Sequence, residues 1–323
     1  MSHASYCIKD FEQPSVAADI VVFTIRKTES ESYRKLSTAT LSVLLVKRKE
    51  WPEEGKLALP GGFCCKEETI EETASRKLQE KAGVTGVPLA LLCNLSKLGR
   101  DERGWIISCG YWTVTEVSGT TIDRENAAWY DIDFSLQKED GTATLTLTGD
   151  SGESHTQHFR ITFGEELYNQ KAEIISLEKS ELAFDHAELL VRAILRLQES
   201  MEKPYAAFRM LPERFTLTQL QQIYEVILGE KLIMANFRRK IRSYVEETAE
   251  MQTGAGHRPS QLYRVIPDIT VQFLILHMIN QIDNRIQKRN IVGDKNKCIH
   301  GALVHQSRQI LVERVHAFLL AGL

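Results

Sequence analysis

The sequence predicts an α+β chain in more than one folding unit, and three observations carry that prediction. Its 323 residues exceed one typical domain. Short β-branched runs alternate with helical stripes in the front two thirds, whereas helical stripes and one hairpin pattern make up the back. Charge divides along the same line. Residues 1–202 carry 23 Lys and Arg against 33 Asp and Glu, residues 203–266 carry 10 against 6, and residues 267–323 carry 7 against 4. An acidic front and a basic back point to different partners, with a polyanion as candidate for the second. The expected units are 1–202, 203–268 and a helical extension over 269–323.

Composition removes other classes. A chain that is 43% hydrophobic and 26% charged reads as an ordinary soluble globular protein. Its apolar runs, such as Phe273–Leu276, are far too short for a membrane span. The opening MSHASYCIKDFEQ has no apolar leader. The six cysteines are scattered with no CxxC pair, the pattern of reduced thiols in a cytoplasmic protein.

In chain order, ADIVVFTI (18–25) and TLSVLLV (40–46) read as strands joined by a polar loop. A helix over 68–82 opens after Gly61-Gly62 and closes at Gly83. WIISCGYWTVT (105–115) reads as strand. TATLTLTG (142–149) and HFRITF (158–163) form a hairpin around Asp150-Ser-Gly-Glu, within an insertion at about 135–180 expected to lid a pocket or extend a dimer contact. A helix over about 186–200 follows, with Asp185 at its N-cap and Glu188 three residues on as a capping box.

Gly62, Glu68, Arg76, Leu78, Glu80, Gly83 and Val84 keep the spacing of G-x5-E-x7-R-E-U-x-E-E-x-G-U, so this stretch, preceded by ALPGGF, resembles the Nudix box. The resemblance implies an α/β/α sandwich. In that family three glutamates on one helical turn hold the divalent metals that activate water against a diphosphate. Here the positions are Lys77, Glu80 and Lys81, on one face by their spacing. Magnesium takes hard oxygen ligands and an ammonium is none, so metal-assisted hydrolysis is expected to be lost, with no catalytic residue and no cofactor. Magnesium enters only under the alternative, an active hydrolase of ADP-ribose or another nucleoside diphosphate derivative. Glu67, Glu71 and Glu72 are the carboxylates nearby that offer an alternative donor set. Lys77 and Lys81 themselves carry two readings: direct partners of a diphosphate, or solvated charges.

The loop GRDERG (99–104) carries Arg100, Asp101 and Arg103, guanidinium forks and a carboxylate that suit phosphate and ribose, although its local spacing alone reads as a solvated surface turn. It is similar to RDxRG segments of the ADP-ribose-recognising Nudix branch. Trp105 and Tyr111 stack on a base or, in the preferred reading, pack in the sheet.

In the back, FTLTQLQQIYEVIL (215–228) has a helical stripe at Leu220, Ile223, Tyr224 and Ile227, a capping box at Thr216 and Gln219, and Gly229 as its stop. A second stripe runs Phe237, Ile241, Tyr244, Val245. Its other face carries Arg238, Arg239, Lys240 and Arg242. A loop with Gly254, Gly256 and Arg258 and the strand QLYRVI complete a winged helix-turn-helix. The second helix would enter the major groove with Asn236, Arg238, Arg239, Lys240 and Arg242, and the wing would offer Arg258. Arg264 is free to pair internally instead.

Together, ALPGGF with its altered box, RDERGW, AFDHAEL, LPERFTLTQLQQIYEVILG, NFRRKI and RPSQLYR resemble the Nudix-related transcriptional regulators of bacteria, over about residues 18–266. The resemblance implies a repressor whose Nudix domain senses ADP-ribose or a related nucleotide or sugar metabolite. It also implies a double-stranded DNA operator near genes of NAD or sugar metabolism, and a homodimer. Residues 269–323, with apolar segments near 271–282 and 310–320, fall outside the pattern.

Overall fold

β-Branched, apolar segments build one large sheet. The computed structural model describes residues 11–28, 38–166, 169–252 and 259–266. In chain order the elements are β1 (Ser15–Thr28), β2 (Thr38–Lys47), β3 (Leu57–Ala58), β4 (Gly61–Phe63), α1 (Ile70–Ala82), β5 (Ala90–Leu95), β6 (Ile106–Val114), β7 (Ala127–Leu136), β8 (Thr142–Thr148), β9 (Ser154–Glu166) and β10 (Asn169–Ser176). They continue with α2 (His186–Ser200), α3 (Tyr205–Arg209), α4 (Leu217–Leu228), α5 (Met234–Ile241), β11 (Val245–Gln252) and β12 (Ser260–Val265).

The sheet order is β10-β9-β8-β7-β2-β1-β6-β5, with β3 on β2 and β4 on β1. Among the described strand pairs of this sheet only β1 and β6 run parallel. Side chains alternate across a strand, so β1 serves both faces. Ala18, Ile20 and Val22 share a buried cluster with Ala74, Leu78 and Ala82 of α1. On the opposite face Gly110, paired with Asp19, lies so close to Leu189 of α2 that a Cβ there would clash. Helices thus cover both faces, the mixed α/β/α sandwich the resemblance implied. A truncation such as Leu78→Ala at this core would cost about 2–5 kcal/mol.

The helix expected at 68–82 is α1. Its N-cap is Thr69, whose side chain accepts from the Glu72 amide while the Glu72 carboxylate accepts from the Thr69 amide. Gly83 ends it at φ 72°, in the left-handed region where glycine is favoured. The 142–163 hairpin is present as β8 and β9 around the five-residue loop 149–153. With β10 it lengthens one edge of the sheet.

Two compact units divide the described residues: 11–241 with 249–263, and the remainder, 242–248 with 264–266. In the first, α4 packs against α2, α3 and β2. It is capped by Thr216 and Gln219 and stopped by Gly229. α5 ends at Ile241, and Val245 already belongs to β11. The expected longer stripe through Tyr244 and Val245 therefore breaks into helix, turn and strand, and Arg242 lies in the turn. The extension over 269–323 lies outside the described residues. Among the described residues no helix is long and apolar enough to cross a membrane.

Candidate functional site

The chemistry gathers in one cleft of about 260 Å³ on the face of the sheet where α2 begins. β1 contributes Asp19, the Leu59–Phe63 segment its backbone and Phe63, and α1 Lys77 and Lys81. Loops bring Arg48, Glu50 and Trp51 from one side and Arg100, Asp101 and Arg103 from another, and Phe184 and His186 stand at the start of α2. All five residues expected to bind a ligand, Lys77, Lys81, Arg100, Asp101 and Arg103, line this one cleft. Among the described residues none of the β8–β10 insertion lines the cleft; its strands extend the sheet edge.

The box residues form a charge network. Arg76 donates from Nε to Glu68 (2.8 Å), from Nη1 to Glu80 (3.0 Å), and from Nη2 to the Phe63 carbonyl (3.3 Å). The Arg76 bond, with the Cys65 amide second, holds Glu68 well below the usual carboxylate range. Glu80 takes a second bond from Lys77 Nζ at 2.7 Å, and Lys77 and Arg76 together lower its carboxyl. The one carboxylate at the three box positions is therefore already neutralised twice. Among the described residues Lys81 has no hydrogen-bond or ion-pair partner. As a donor set for a hard divalent cation, this does not fit. Of the neighbouring glutamates, Glu72 caps α1, Glu71 accepts from the Tyr111 hydroxyl at 3.2 Å, and Glu67 is exposed; none of the three is in the cleft lining. The Lys77 stem lies close over Gly62, 2.9 Å from where a Cβ would stand.

Beneath the cations lies a buried polar cluster. Asp19 accepts from the Ser108 hydroxyl, faces His186 Nε2 at 3.5 Å and Arg100 at 3.9 Å. Burial alone would raise its carboxyl, but His186, Ser108 and Arg100 outweigh burial and leave it lowered. The Leu59 amide donates to His186 Nδ1 at 3.0 Å, so Nε2 carries the proton directed at Asp19. A Cβ on Gly61 would land on the Asp19 carboxylate, which ties this glycine to the cluster.

Asp185 corrects an expectation. It makes no side-chain capping bond, because its carboxylate is held by Arg100, with Nε 2.8 Å from Oδ2. Glu188, the expected partner in the box, pairs with Arg192 at 2.7 Å. An ion pair in a low-dielectric setting outcompetes a neutral cap. Arg100 is correspondingly sealed, its side chain 4% exposed, and it faces the protein rather than solvent.

Arg103 is the accessible guanidinium of the loop. It pairs with Asp101 at 2.6 Å and stacks over Phe63 at 4.9 Å and Phe184 at 5.2 Å. Arg48 covers Phe184 from 4.8 Å, and burial with the charge of Arg103 lowers its guanidinium. Mutually repelling cations on aromatic faces favour an anion between them. Tyr111 is 2% exposed and packs in the sheet, as the preferred reading had it, but Trp105 does not: it precedes β6, is exposed and lies outside the lining, so neither of its two readings holds. Sequence reasoning missed Arg48, Trp51, Phe63 and Phe184 as lining. Phe63 was the recoverable one, since it closes ALPGGF; the others arrive from separate loops.

In the back, Phe237 and Ile241 are the buried face of α5, and Asn236, Arg238 and Arg239 are exposed. Arg239 donates to Asn236 at 3.2 Å. Lys240 turns inward, donating to the Met201 carbonyl at 3.2 Å over the Tyr224 ring. In the shorter unit Arg264 pairs with Glu246 at 2.6 Å, the internal pairing left open for it. Arg258 lies outside the described residues.

Comparison with known proteins returns two families. The model for the NrtR DNA-binding winged helix domain matches residues 207–265, and that for the NUDIX domain matches residues 29–142. The ADPR responsive transcriptional repressor NtrR of Acinetobacter baylyi is 30% identical over 267 residues, 81% of this chain and 86% of that protein. The ADP-ribose pyrophosphatase of Methanocaldococcus jannaschii is 36% identical over 94 residues, 28% of this chain and 54% of that enzyme. The crystal structure of Shewanella oneidensis NrtR complexed with a 27mer DNA matches with a TM-score of 0.51 at 25% identity, covering 78% of this chain and 94% of that one.

Proposed function

The chain belongs to the NrtR family of Nudix-related transcriptional regulators, and from that premise we propose that it is a repressor whose operator binding is controlled by ADP-ribose or a close relative. Residues 1–202 act as the effector-sensing domain and residues 203–268 as the DNA-binding domain, in a cytoplasmic homodimer acting on genes of NAD or sugar metabolism. Arg103, Lys77 and Lys81 receive the diphosphate, and Asp101 and Glu50 offer carboxylates to ribose hydroxyls. Asn236, Arg238, Arg239 and Arg242 engage duplex DNA, with Arg258 on the wing.

The observation that carries this reading is the exchange at the box positions. Two ammonium groups flank Glu80, and Glu80 is bound by Arg76 and Lys77. A diphosphate meets cations there without a metal, so binding survives and hydrolysis is lost. The alternative, a hydrolase like the archaeal pyrophosphatase, needs carboxylates that Glu71 and Glu72 do not release. The test is a thermal-shift screen of nucleotide sugars and free sugars, because a ligand selective for the native state raises its melting temperature. ADP-ribose should raise it without magnesium. A shift that appears only with magnesium would favour the hydrolase.

A further inference from the structure

One helix touches both the effector cleft and the DNA-binding elements. α2, HAELLVRAILRLQES, has no glycine or proline and spans about 22 Å at 1.5 Å per residue. Leu189, Leu190, Val191, Ala193, Ile194 and Leu197 are buried along it, so it moves as a rod or not at all.

Each end is fastened by polar bonds. At the N-terminal end Asp185 grips Arg100, and His186 accepts from Leu59 and faces Asp19. Arg100 belongs to the same short loop as Asp101 and Arg103. At the C-terminal end Gln198 Nε2 donates to the Ile227 carbonyl of α4 at 3.0 Å, and the Met201 carbonyl accepts from Lys240 of α5 at 3.2 Å. All these residues belong to the first compact unit.

Resting on the effector reading above, we infer that Arg100 and Gln198 are positioning residues, opposite ends of a linkage through α2 that carries effector binding to the DNA-reading helix. An anion that draws Arg103 from Asp101 loads the loop holding Arg100. Arg100 then pulls or releases Asp185, and α2 passes the displacement to the last turn of α4 and to α5. Such a linkage works only if the ligand has unequal affinity for the two placements of α2.

The experiment is a coupling measurement on the full chain. The probes are ADP-ribose and a duplex that the protein itself selects from a random-sequence library. Operator affinity is measured with and without saturating ADP-ribose, in wild type and in Gln198→Leu. In wild type the ratio of the two affinities should be roughly 5- to 150-fold. In Gln198→Leu it should fall below about threefold, while calorimetry gives an ADP-ribose affinity within twofold of wild type, because Gln198 is outside the cleft. Lys240→Met serves if Gln198→Leu does not fold; it should lose the ratio, and Lys240→Arg, which keeps a donor, should restore it. An unchanged ratio in the folded variants overturns the linkage while the effector reading stands. A wild type whose operator affinity ignores ADP-ribose overturns the effector reading, and the linkage with it.

Discussion

Lys81 is the residue that most sharply tests the proposed effector site, since among the described residues it is the box-position side chain with no partner of its own. Lys81→Glu should weaken ADP-ribose binding at least tenfold, about 1.4 kcal/mol, by calorimetry without metal; unchanged affinity would mean that the lysine merely solvates the helix. Asp19 makes a different prediction, on stability. Its carboxyl is lower in the folded than in the unfolded state, so its contribution is present above the unfolded value of about 3.9 and lost as pH falls through the folded one. Asp19→Asn should lower the melting temperature at pH 7 and flatten its fall below about pH 4. An equally steep fall in the variant would place the acid sensitivity elsewhere. At this scale the sequence was informative where spacing encodes geometry: Gly62 through Val84 could be read residue by residue. It was silent on Arg48, Trp51 and Phe184, because their convergence depends on loop paths that no local pattern specifies. Arg100 was read as a ligand for phosphate because guanidinium forks suit phosphate oxygens and its loop is similar to RDxRG segments; only the fold brings Asp185 to it.

Among the elements, capping chemistry was the most legible feature. Thr69 and Thr216 each close a reciprocal box, and Gly83 and Gly229 each end a helix in the left-handed region. Thr216→Ala should cost about 1 kcal/mol, measured by denaturant unfolding, with α4 the segment whose hydrogen exchange rises most. The capping argument failed at Asp185 for a physical reason. A buried guanidinium competes for the same carboxylate, and charge-assisted pairing wins over a cap. β5, β7 and β10 were also missed. β5 alternates poorly and is bulged between Leu91 and Cys93, whereas β7 interleaves its apolar residues with Asp131 and Asp133. On α5, Arg238→Ala and Arg239→Ala should each reduce operator affinity, and each should lower the slope of log affinity against log salt by about 1 if the lost contact is to phosphate. Wild-type affinity in both would move the DNA-reading surface off this helix.

At the scale of the whole molecule, the division of labour follows from charge. The acidic front brings five of its 23 Lys and Arg into one cleft, while in the back Arg238 and Arg239 stand on the exposed face of α5. On the proposed reading the first arrangement receives a small dianion and the second a polyanion. The overall class was legible because the box and the helix–helix–hairpin order each point to one of its two parts, and the RDERG loop, read alone as a surface turn, gains its meaning beside the box. The linkage between the two halves was not, because Gln198 and Lys240 look like ordinary surface residues until α2, α4 and α5 are packed. On the proposed reading the box has exchanged metal ligands for cations and so binds without cleaving. Phosphorus NMR of ADP-ribose mixed with stoichiometric protein and magnesium tests it most directly. Pyrophosphate resonances that shift or broaden yet keep their integral over hours would agree with the account. Their replacement by the monoester resonances of AMP and ribose 5-phosphate would contradict it.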